Sequence, residues 1–211
     1  MTRMMIQRSK KLEITASIVK ELRERTGVGM MDCKKALQEC NGDIEKSIEY
    51  LRKKGIATAQ KRGGRSTSEG QIQSYIHGGG KIGVLVEINC ETDFTGKNDE
   101  FTEFVKNVAM HIAASNPIAV NREGIPADIL AKEKDIYETQ AKESGKPENV
   151  IQKIVEGKIN KFYADNTLLG QQYVKNPDIT IQDLVNEMIA KTGENIVINR
   201  FVRFQLGENN E

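Results

Sequence analysis

Alternating apolar and polar positions mark one segment in the first half of the chain as a strand with one buried face. Its apolar members are Ile82, Val84, Val86, Ile88 and Cys90. A period of two places these side chains on one face of a sheet. The pattern ends at Glu91, and a long helical period begins near Asn98. We expect this strand to be the centre of its sheet.

The corner between that strand and the helix contains an aromatic residue with polar neighbours. Its sequence is Thr92-Asp93-Phe94-Thr95, and Phe94 fits the apolar face of neither element. One interpretation is that the ring folds back under the helix as core, as apolar loop residues often do. The other is that the corner presents Asp93 and Phe94 to a partner. The pattern leaves both interpretations open.

Three amphipathic helices are predicted over residues 14–55. Their apolar positions recur at three- and four-residue spacing, which is typical of helices that bury one face. Asp32 and Asp43 are placed to cap the second and third helices, and Gly55 is expected to end the third. Residues 1–13 open with a basic stretch and are expected to be a disordered lead-in.

An apolar turn, Val28-Gly29-Met30-Met31, joins the first two helices. Methionine adapts well to contact surfaces, and burying one such side chain on a partner contributes roughly 1.5–3 kcal/mol. We therefore interpret the turn as a candidate docking surface. The alternative is that the methionines cover the bundle's own core, which the pattern favours more for Met31 than for Met30.

Residues 56–70 are predicted to be a basic, flexible linker. The overlapping stretch 52–65 has six basic residues and no acidic one, and glycine and serine follow it. An RNA-binding segment would need aromatic side chains between the basic ones for base stacking, and none is present. We therefore expect no direct contact with nucleic acid.

An α+β core domain is predicted over residues 71–208. Strands over 71–77 and 196–206 pair with the central strand, giving a three-stranded antiparallel sheet packed with helices. The side chains expected to face inward on these two strands are Ile72, Ser74, Ile76, Ile196, Ile198, Val202, Phe204 and Leu206.

Helices account for the rest of this domain. A strongly amphipathic helix starts near Phe101 and ends at Asn116-Pro117, with His111 expected at the surface or rim. Two antiparallel helices over 126–162 are expected to form a projecting arm, because the first of them has too few apolar residues to be buried on all sides. Arms of this kind often mediate self-association.

Composition narrows the classes of function. The 211 residues carry a formal net charge of +1, which does not indicate binding to nucleic acid or to an anionic membrane. No apolar run approaches the roughly 18 residues of a membrane span, and the N-terminus lacks the hydrophobic core of a signal peptide. We expect a cytoplasmic protein.

Candidate chemistry is sparse. The three cysteines form no CxxC pair and there are only two histidines, so we expect no metal site and reduced, buried thiols. The glycines before Lys81 do not form a phosphate loop, because Tyr75 and Ile82 occupy positions where it needs glycine and serine or threonine. No nucleophile, base and orienting group can be assembled. We expect neither an enzyme nor a cofactor.

Residues 14–55 resemble the N-terminal domain of bacterial elongation factor Ts, above all in the run TGVGMMDCKKAL. The corner TDFT at 92–95 is similar to that family's TDFV, with Thr95 in place of valine, and the closing INRFVRFQLGE looks like the end of its core domain. The likeness spans residues 14–208. The chain length and the single TDF corner are similar to the short bacterial form, which is expected as a homodimer.

The resemblance implies a ubiquitin-associated-like (UBA-like) bundle over 14–55 and guanine-nucleotide exchange on elongation factor Tu, in its GDP-bound and nucleotide-free states. It implies that the corner 92–95, chiefly Asp93 and Phe94, disturbs the partner's Mg²⁺ and phosphate site, and that the turn 28–31 docks on the partner's G domain. A competing hypothesis, based on the bundle alone, is a ubiquitin-like or peptide-binding module. That hypothesis leaves two-thirds of the chain without a role.

Overall fold

The computed structural model describes residues 14–143 and 145–208. The helices are α1 (Ala16–Thr26), α2 (Met30–Glu39), α3 (Ile44–Arg62), α4 (Asp93–Gly96), α5 (Asp99–Ser115), α6 (Ala127–Glu143), α7 (Glu148–Asn166) and α8 (Ile181–Thr192). The strands are β1 (Glu69–His77), β2 (Ile82–Cys90), β3 (Gln172–Tyr173), β4 (Asn176–Thr180) and β5 (Ile196–Gln205). The α+β class is confirmed. The expectation for residues 1–13 lies outside the described residues.

The first three helices pack into a small bundle. α1 ends at Gly27, whose φ of 67° is a left-handed conformation that glycine adopts without strain. α3 begins after Asp43, whose carboxylate accepts a hydrogen bond from the Lys46 amide at 3.0 Å, as predicted. The core consists of Val19, Leu22, Cys33, Ala36, Leu37 and Leu51. The three helices are confirmed, and their UBA-like character stays a prediction.

Two predicted helix boundaries in this bundle are wrong. α2 starts at Met30, so Asp32 lies inside its first turn rather than at its cap. There the Asp32 carboxylate pairs with Lys54 of α3, which explains an acidic residue at this position without a capping role. α3 does not end at Gly55 but continues to Arg62.

The longer α3 occupies the first part of the segment 56–70, which was expected to be a flexible linker. Gly55 is tolerated inside the helix because α3 packs closely on α8, where a Cβ at Gly55 would lie 3.3 Å from the Ala190 Cβ. An ion pair supports the same contact, with Arg52 Nη2 lying 2.9 Å from Asp183 Oδ2. The bundle is therefore joined to the core domain by a packed helix.

β2 is the centre of a three-stranded antiparallel sheet of order β1-β2-β5, as predicted. Its buried side chains meet α5 and α8 in the main core of the molecule. The members contributed by β2 are Val84, Val86, Ile88 and Cys90.

The predicted facing of β1 is wrong. Tyr75 pairs with Val84 and so shares its buried face, whereas Ile72 and Ile76 are 70% and 64% exposed. The physical reason lies at the start of the strand, where the inner face is used by Gln71 for hydrogen bonds to α4 and α5.

A β-bulge divides β5 into two parts with opposite facing. Arg200 pairs with Glu87 while Ile198 pairs with Ile88, so Asn199 is an extra residue on β5. The predicted facing is confirmed before the bulge and is wrong after it. The residues predicted to face inward that are exposed instead are Val202, Phe204 and Leu206.

α5 covers the inner face of the sheet, and its predicted apolar stripe is confirmed. His111 on this helix is buried, so its prediction as a surface or rim residue is wrong. Its Nδ1 accepts a hydrogen bond from the Val174 amide at 3.3 Å, and its Nε2 lies 3.0 Å from Gln171 Oε1. Burial lowers the pKa of the imidazole, opposed by the hydrogen bond to Gln171. The chain around β3 covers this ring.

α6 and α7 form the helical pair that was predicted as an arm over 126–162. They pack through two small apolar clusters, one including Ile125 and Phe162 and the other including Ile151 and Val155. Among the described helices, none is long and apolar enough to cross a membrane.

Candidate functional site

The corner between β2 and α5 presents one aromatic ring to solvent. Thr92 is extended, at φ −127° and ψ 154°, and caps the one-turn helix α4. Phe94 is 80% exposed, so the interpretation of this ring as core is wrong. Thr95 is buried, with its side chain directed inward. The surface chemistry of the corner is therefore that of Asp93 and Phe94, with Thr92 beside them.

Asp93 holds an ionised carboxylate next to the ring. Its Oδ2 lies 2.7 Å from Lys97 Nζ. The hydrogen bond from Lys97 and its charge lower the pKa of Asp93, and Asp93 raises the pKa of Lys97 in return. Both side chains are well exposed, so the pair contributes little to stability. The carboxylate can exchange this cation for one that a partner supplies.

Gln71 of β1 fixes the inner side of the corner. Its Nε2 donates to the Gly96 carbonyl at 2.6 Å and to Thr102 Oγ1 at 2.8 Å. The preceding residue, Gly70, has φ 141°, and a Cβ there would clash with the Ile88 carbonyl oxygen. Glycine at this position lets β1 approach β2 closely just before the corner.

The loop between α8 and β5 holds the outer edge of the corner. Glu194 Oε2 accepts hydrogen bonds from the Glu91 and Thr92 amides, both at 3.1 Å, and Glu194 Oε1 accepts one from Thr92 Oγ1 at 2.6 Å. Glu91 in turn accepts from the Asn195 amide at 2.6 Å and from Arg65 Nη1 at 3.2 Å. The bond from Asn195 and the nearby arginine lower the pKa of Glu91.

Sequence analysis does not identify Gln71 or Glu194. The Gly96 carbonyl is 25 residues from Gln71, and the Thr92 hydroxyl is 102 residues from Glu194. Neither residue belongs to a local pattern that indicates its partner. A usable signal would be the register of β1, because pairing opposite Ile88 places Gln71 on the buried face, where a polar side chain needs hydrogen bonds.

The second predicted surface lies where α2 begins. Met30 is 43% and Met31 78% exposed, so the preference for Met31 as a core residue is wrong. Val28 packs half-buried against the bundle core, and Gly29 stands at the N-cap of α2. The Cys33 thiol donates to the Val28 carbonyl, with sulfur and oxygen 3.4 Å apart. The turn is held by residues close to it in the chain.

The outer face of the sheet is a third exposed surface, which sequence analysis missed because it placed all of the apolar side chains on this face except Leu85 inside. Its exposed apolar members are Ile72, Ile76, Leu85, Val202 and Phe204. Arg200 Nε donates to Glu87 Oε2 at 2.7 Å on the same face. The solvent face of an antiparallel sheet is ordinarily polar, and contiguous apolar patches mark interaction sites.

Comparison with known proteins finds the same family along nearly the whole chain. The profile of the family described as Elongation factor TS matches residues 12–208. The chain is 62% identical over 195 residues to Elongation factor Ts of Desulfosudis oleivorans, covering 92% of this chain and 98% of the relative. It is 60% identical over 196 residues to that of Desulfotalea psychrophila, with coverages of 93% and 100%. It is 59% identical over 197 residues to that of Geobacter sulfurreducens, with coverages of 93% and 91%.

The chain has an α+β core with an exposed Asp-Phe corner and a three-helix bundle joined to it. Together with these relatives, this architecture defines a translation elongation factor. The chain belongs to the elongation factor Ts family. The matches include both the bundle and the core domain, so the predicted resemblance is confirmed for both.

Proposed function

We propose that the chain is a guanine-nucleotide exchange factor that promotes the release of GDP from elongation factor Tu. The observation that carries the proposal is the exposed ring of Phe94 beside the ionised carboxylate of Asp93, on a corner held by Gln71 and Glu194. The factor acts in the cytoplasm by binding, makes or breaks no covalent bond, and needs no cofactor of its own.

The corner acts on the partner's metal and phosphate site. Mg²⁺ bridges protein oxygen ligands and nucleotide phosphates, and a bound divalent ion is often the largest local charge in such a site. Phe94 supplies apolar volume that displaces residues around the metal. Asp93 supplies a negative charge that competes with the phosphates or reorganises their polar partners. GDP then loses the contacts that retain it.

Thermodynamic reciprocity makes a second contact necessary. If the factor weakens GDP binding, GDP weakens binding of the factor by the same coupling free energy, and each ~1.4 kcal/mol changes an affinity about tenfold. The turn 28–31 offsets this cost by docking on the G domain. Its exposed methionines, Met30 and Met31, contribute roughly 1.5–3 kcal/mol for each side chain that becomes fully buried.

Stopped-flow release of a fluorescent GDP from elongation factor Tu tests the proposal. The wild-type chain should accelerate release, and Phe94→Ala should reduce the maximal rate about tenfold or more, which corresponds to ~1.4 kcal/mol of the barrier. Because the ring is 80% exposed, this variant should retain the fold and unfolding midpoint of the wild type. Ile136→Ala on the arm, which also shortens an exposed apolar side chain, is the matched control. Equal rates for wild type and Phe94→Ala would refute the role of the ring.

We further propose that two copies associate through the outer face of the sheet. A two-fold axis makes each copy contribute the same patch, and the Glu87–Arg200 pair supplies both charge signs for complementary contacts. Leu85, 47% exposed on the central strand, lies in the middle of this patch. Packed sheets would stand about 10 Å apart with these side chains between them.

Sedimentation equilibrium tests this association. Leu85→Lys should raise the dimer dissociation constant about tenfold or more, the loss of ~1.4 kcal/mol, because it places a charge in the apolar contact. Ile136→Lys introduces the same charge on the arm and should leave the dimer intact. Dissociation by the arm variant alone would move the interface to α6 and α7.

A further inference from the structure

The loop between α8 and β5 makes a reciprocal contact with the corner. Glu194 accepts both amides of the segment that precedes α4, those of Glu91 and Thr92, and the Thr92 hydroxyl. Glu91 reaches back and accepts the Asn195 amide. Each of the two loops therefore contributes one carboxylate, and each carboxylate accepts hydrogen bonds from backbone amides of the other loop.

These bonds fall where the chain has left the sheet and the helix α5 has not yet begun. β2 ends at Cys90, so the next two amides lie beyond the hydrogen-bond ladder of the sheet. α4 has four residues, which is too short for a helix to be stable by itself. A carboxylate that accepts amide hydrogen bonds makes a stronger contact than a neutral acceptor. Glu194 therefore supplies an anchor for the chain just before Asp93.

The Thr92 hydroxyl carries this anchor into α4. It donates to Glu194 Oε1 at 2.6 Å and accepts from the Thr95 amide at 3.4 Å. Because donation to the carboxylate fixes the direction of the hydroxyl hydrogen, the oxygen lone pairs remain available for the cap of α4. Phe94 lies between the two residues joined by this cap, so its direction depends on it.

Glu91 extends the same network to the bundle. Its carboxylate lies 3.2 Å from Arg65 Nη1 and 3.5 Å from Arg62 Nη1, and the Asn195 side chain donates to the Arg65 carbonyl at 2.9 Å. Arg62 is the last residue of α3. The corner and the helix that leads to the bundle therefore share one set of anchors.

We propose that Glu194 is a positioning residue for nucleotide release: it holds Thr92 and thereby fixes the direction in which the corner presents Asp93 and Phe94. The inference rests on the proposed exchange activity. Glu194 itself need not contact the partner, because its effect passes through the backbone and hydroxyl of Thr92.

Two variants separate positioning from folding. Glu194→Ala removes all three hydrogen bonds that the carboxylate accepts, and Glu194→Gln keeps one oxygen for the two amides. We expect Glu194→Ala to lower the maximal rate of stimulated GDP release about fivefold or more, with less than about a twofold change in the half-saturating concentration, because the turn 28–31 still docks. Glu194→Gln should recover most of the rate. Glu138→Ala on the arm is the control for loss of a half-buried glutamate, which Glu194 also is.

Amide hydrogen exchange on the free protein gives a readout that does not depend on nucleotide release. In Glu194→Ala the amides of Glu91 and Thr92 should exchange about tenfold faster or more, while amides in the middle of β2 keep their protection. Unchanged exchange at these two amides would overturn the anchor. If amide exchange becomes faster but the maximal rate of GDP release stays at the wild-type value, Glu194 anchors the corner but has no positioning role in release.

The outcomes also separate this inference from the proposed function. If the wild-type chain does not accelerate GDP release, the proposed nucleotide-exchange function fails. Amide hydrogen exchange still decides whether Glu194 anchors the corner. If Phe94→Ala slows release while Glu194→Ala does not, the exchange proposal stands and the positioning role is wrong. A parallel fall in stability and in docking affinity for both Glu194 variants would assign the residue to folding alone.

Discussion

The corner 92–95 and the turn 28–31 are both exposed, but they are built differently. The corner is held by groups far away in the sequence, Gln71 on one side and Glu194 on the other. The turn is held by its neighbours, with the Thr26 hydroxyl accepting from the Val28 amide and the Cys33 thiol donating to the Val28 carbonyl. One surface depends on the whole core domain, and the other depends on the bundle.

The side chains on the two surfaces differ in the same sense. The corner carries a flat, stiff ring on a backbone that several elements fix. The turn carries two methionines, whose unbranched side chains adapt to the surface they meet. A fixed group can force a rearrangement in a partner, whereas an adaptable one gains contact area without forcing anything. We therefore expect the corner to control the rate of release and the turn to control affinity.

The largest effect that tests this difference is expected for Met30→Ala with Met31→Ala. This double variant should raise the half-saturating concentration for stimulated GDP release about tenfold or more, because at least ~1.5 kcal/mol of apolar burial is lost. The maximal rate should stay near the wild-type value. Phe94→Ala, measured in parallel by stopped flow, should do the reverse. If both variants change the same kinetic parameter, the division of roles is wrong.

A smaller effect is expected from separating the two surfaces without altering either. Gly55→Leu inserts a side chain where α3 packs on α8, and overpacking of this kind costs about 1–3 kcal/mol. The expected result is a lower unfolding midpoint together with a severalfold higher half-saturating concentration, because the bundle no longer holds a fixed position on the core. Gly55→Ala is the matched control. Its Cβ would lie at a tight 3.3 Å from the Ala190 Cβ, but alanine favours the helix by roughly 1 kcal/mol over glycine, so both measurements should change much less than in Gly55→Leu.

The smallest effect on function is expected for replacement of His111, which lies at neither the corner nor the turn. Burial lowers its pKa in the folded protein, so the unfolded chain binds the proton more tightly. The stabilising effect of the neutral ring is complete above the unfolded pKa of about 6.5 and is lost as the pH falls from there through the lowered folded pKa. The slope from this one group cannot exceed about 1.4 kcal/mol per pH unit.

Urea unfolding between pH 5 and pH 8 measures this contribution as the difference between wild type and His111→Gln. The variant should lack the part of the pH dependence that belongs to the imidazole, and both proteins should release GDP from the partner at the same rate at pH 7.5. Parallel stability curves for the two proteins would show that the ring is not the titrating group.

Much of the fold could be predicted where a pattern is local. The alternation in β2 and the stripe on α5 each describe one continuous buried face, and both are confirmed. The capping box at the start of α8 is equally local, since Thr180 and Asp183 exchange both hydrogen bonds. In these elements the residues that determine the local structure lie close to each other in the sequence.

The wrong predictions concern residues whose exposure or helix boundary depends on a partner far away in the sequence. The isoleucines of β1 would be core in a strand judged alone, but Gln71 takes the inner face because the corner needs its amide. In β5 one extra residue at Asn199 exchanges the two faces. The exposure of Phe94 could not be settled from its neighbours, because the pattern also fits a buried ring. α3 continues past Gly55 because α8 provides a surface on which it packs.

Cys90 gives the corner a chemical reporter of its own. Its buried thiol donates to the Thr92 carbonyl at 3.1 Å, and burial raises its pKa to about 11. The thiolate is the nucleophile that attacks an alkylating reagent, so at neutral pH this sulfur reacts only when the segment around Thr92, whose carbonyl it contacts, lifts away. With the half-buried Cys40 replaced by serine, the alkylation rate of Cys90 would report how often that segment opens in the intact factor.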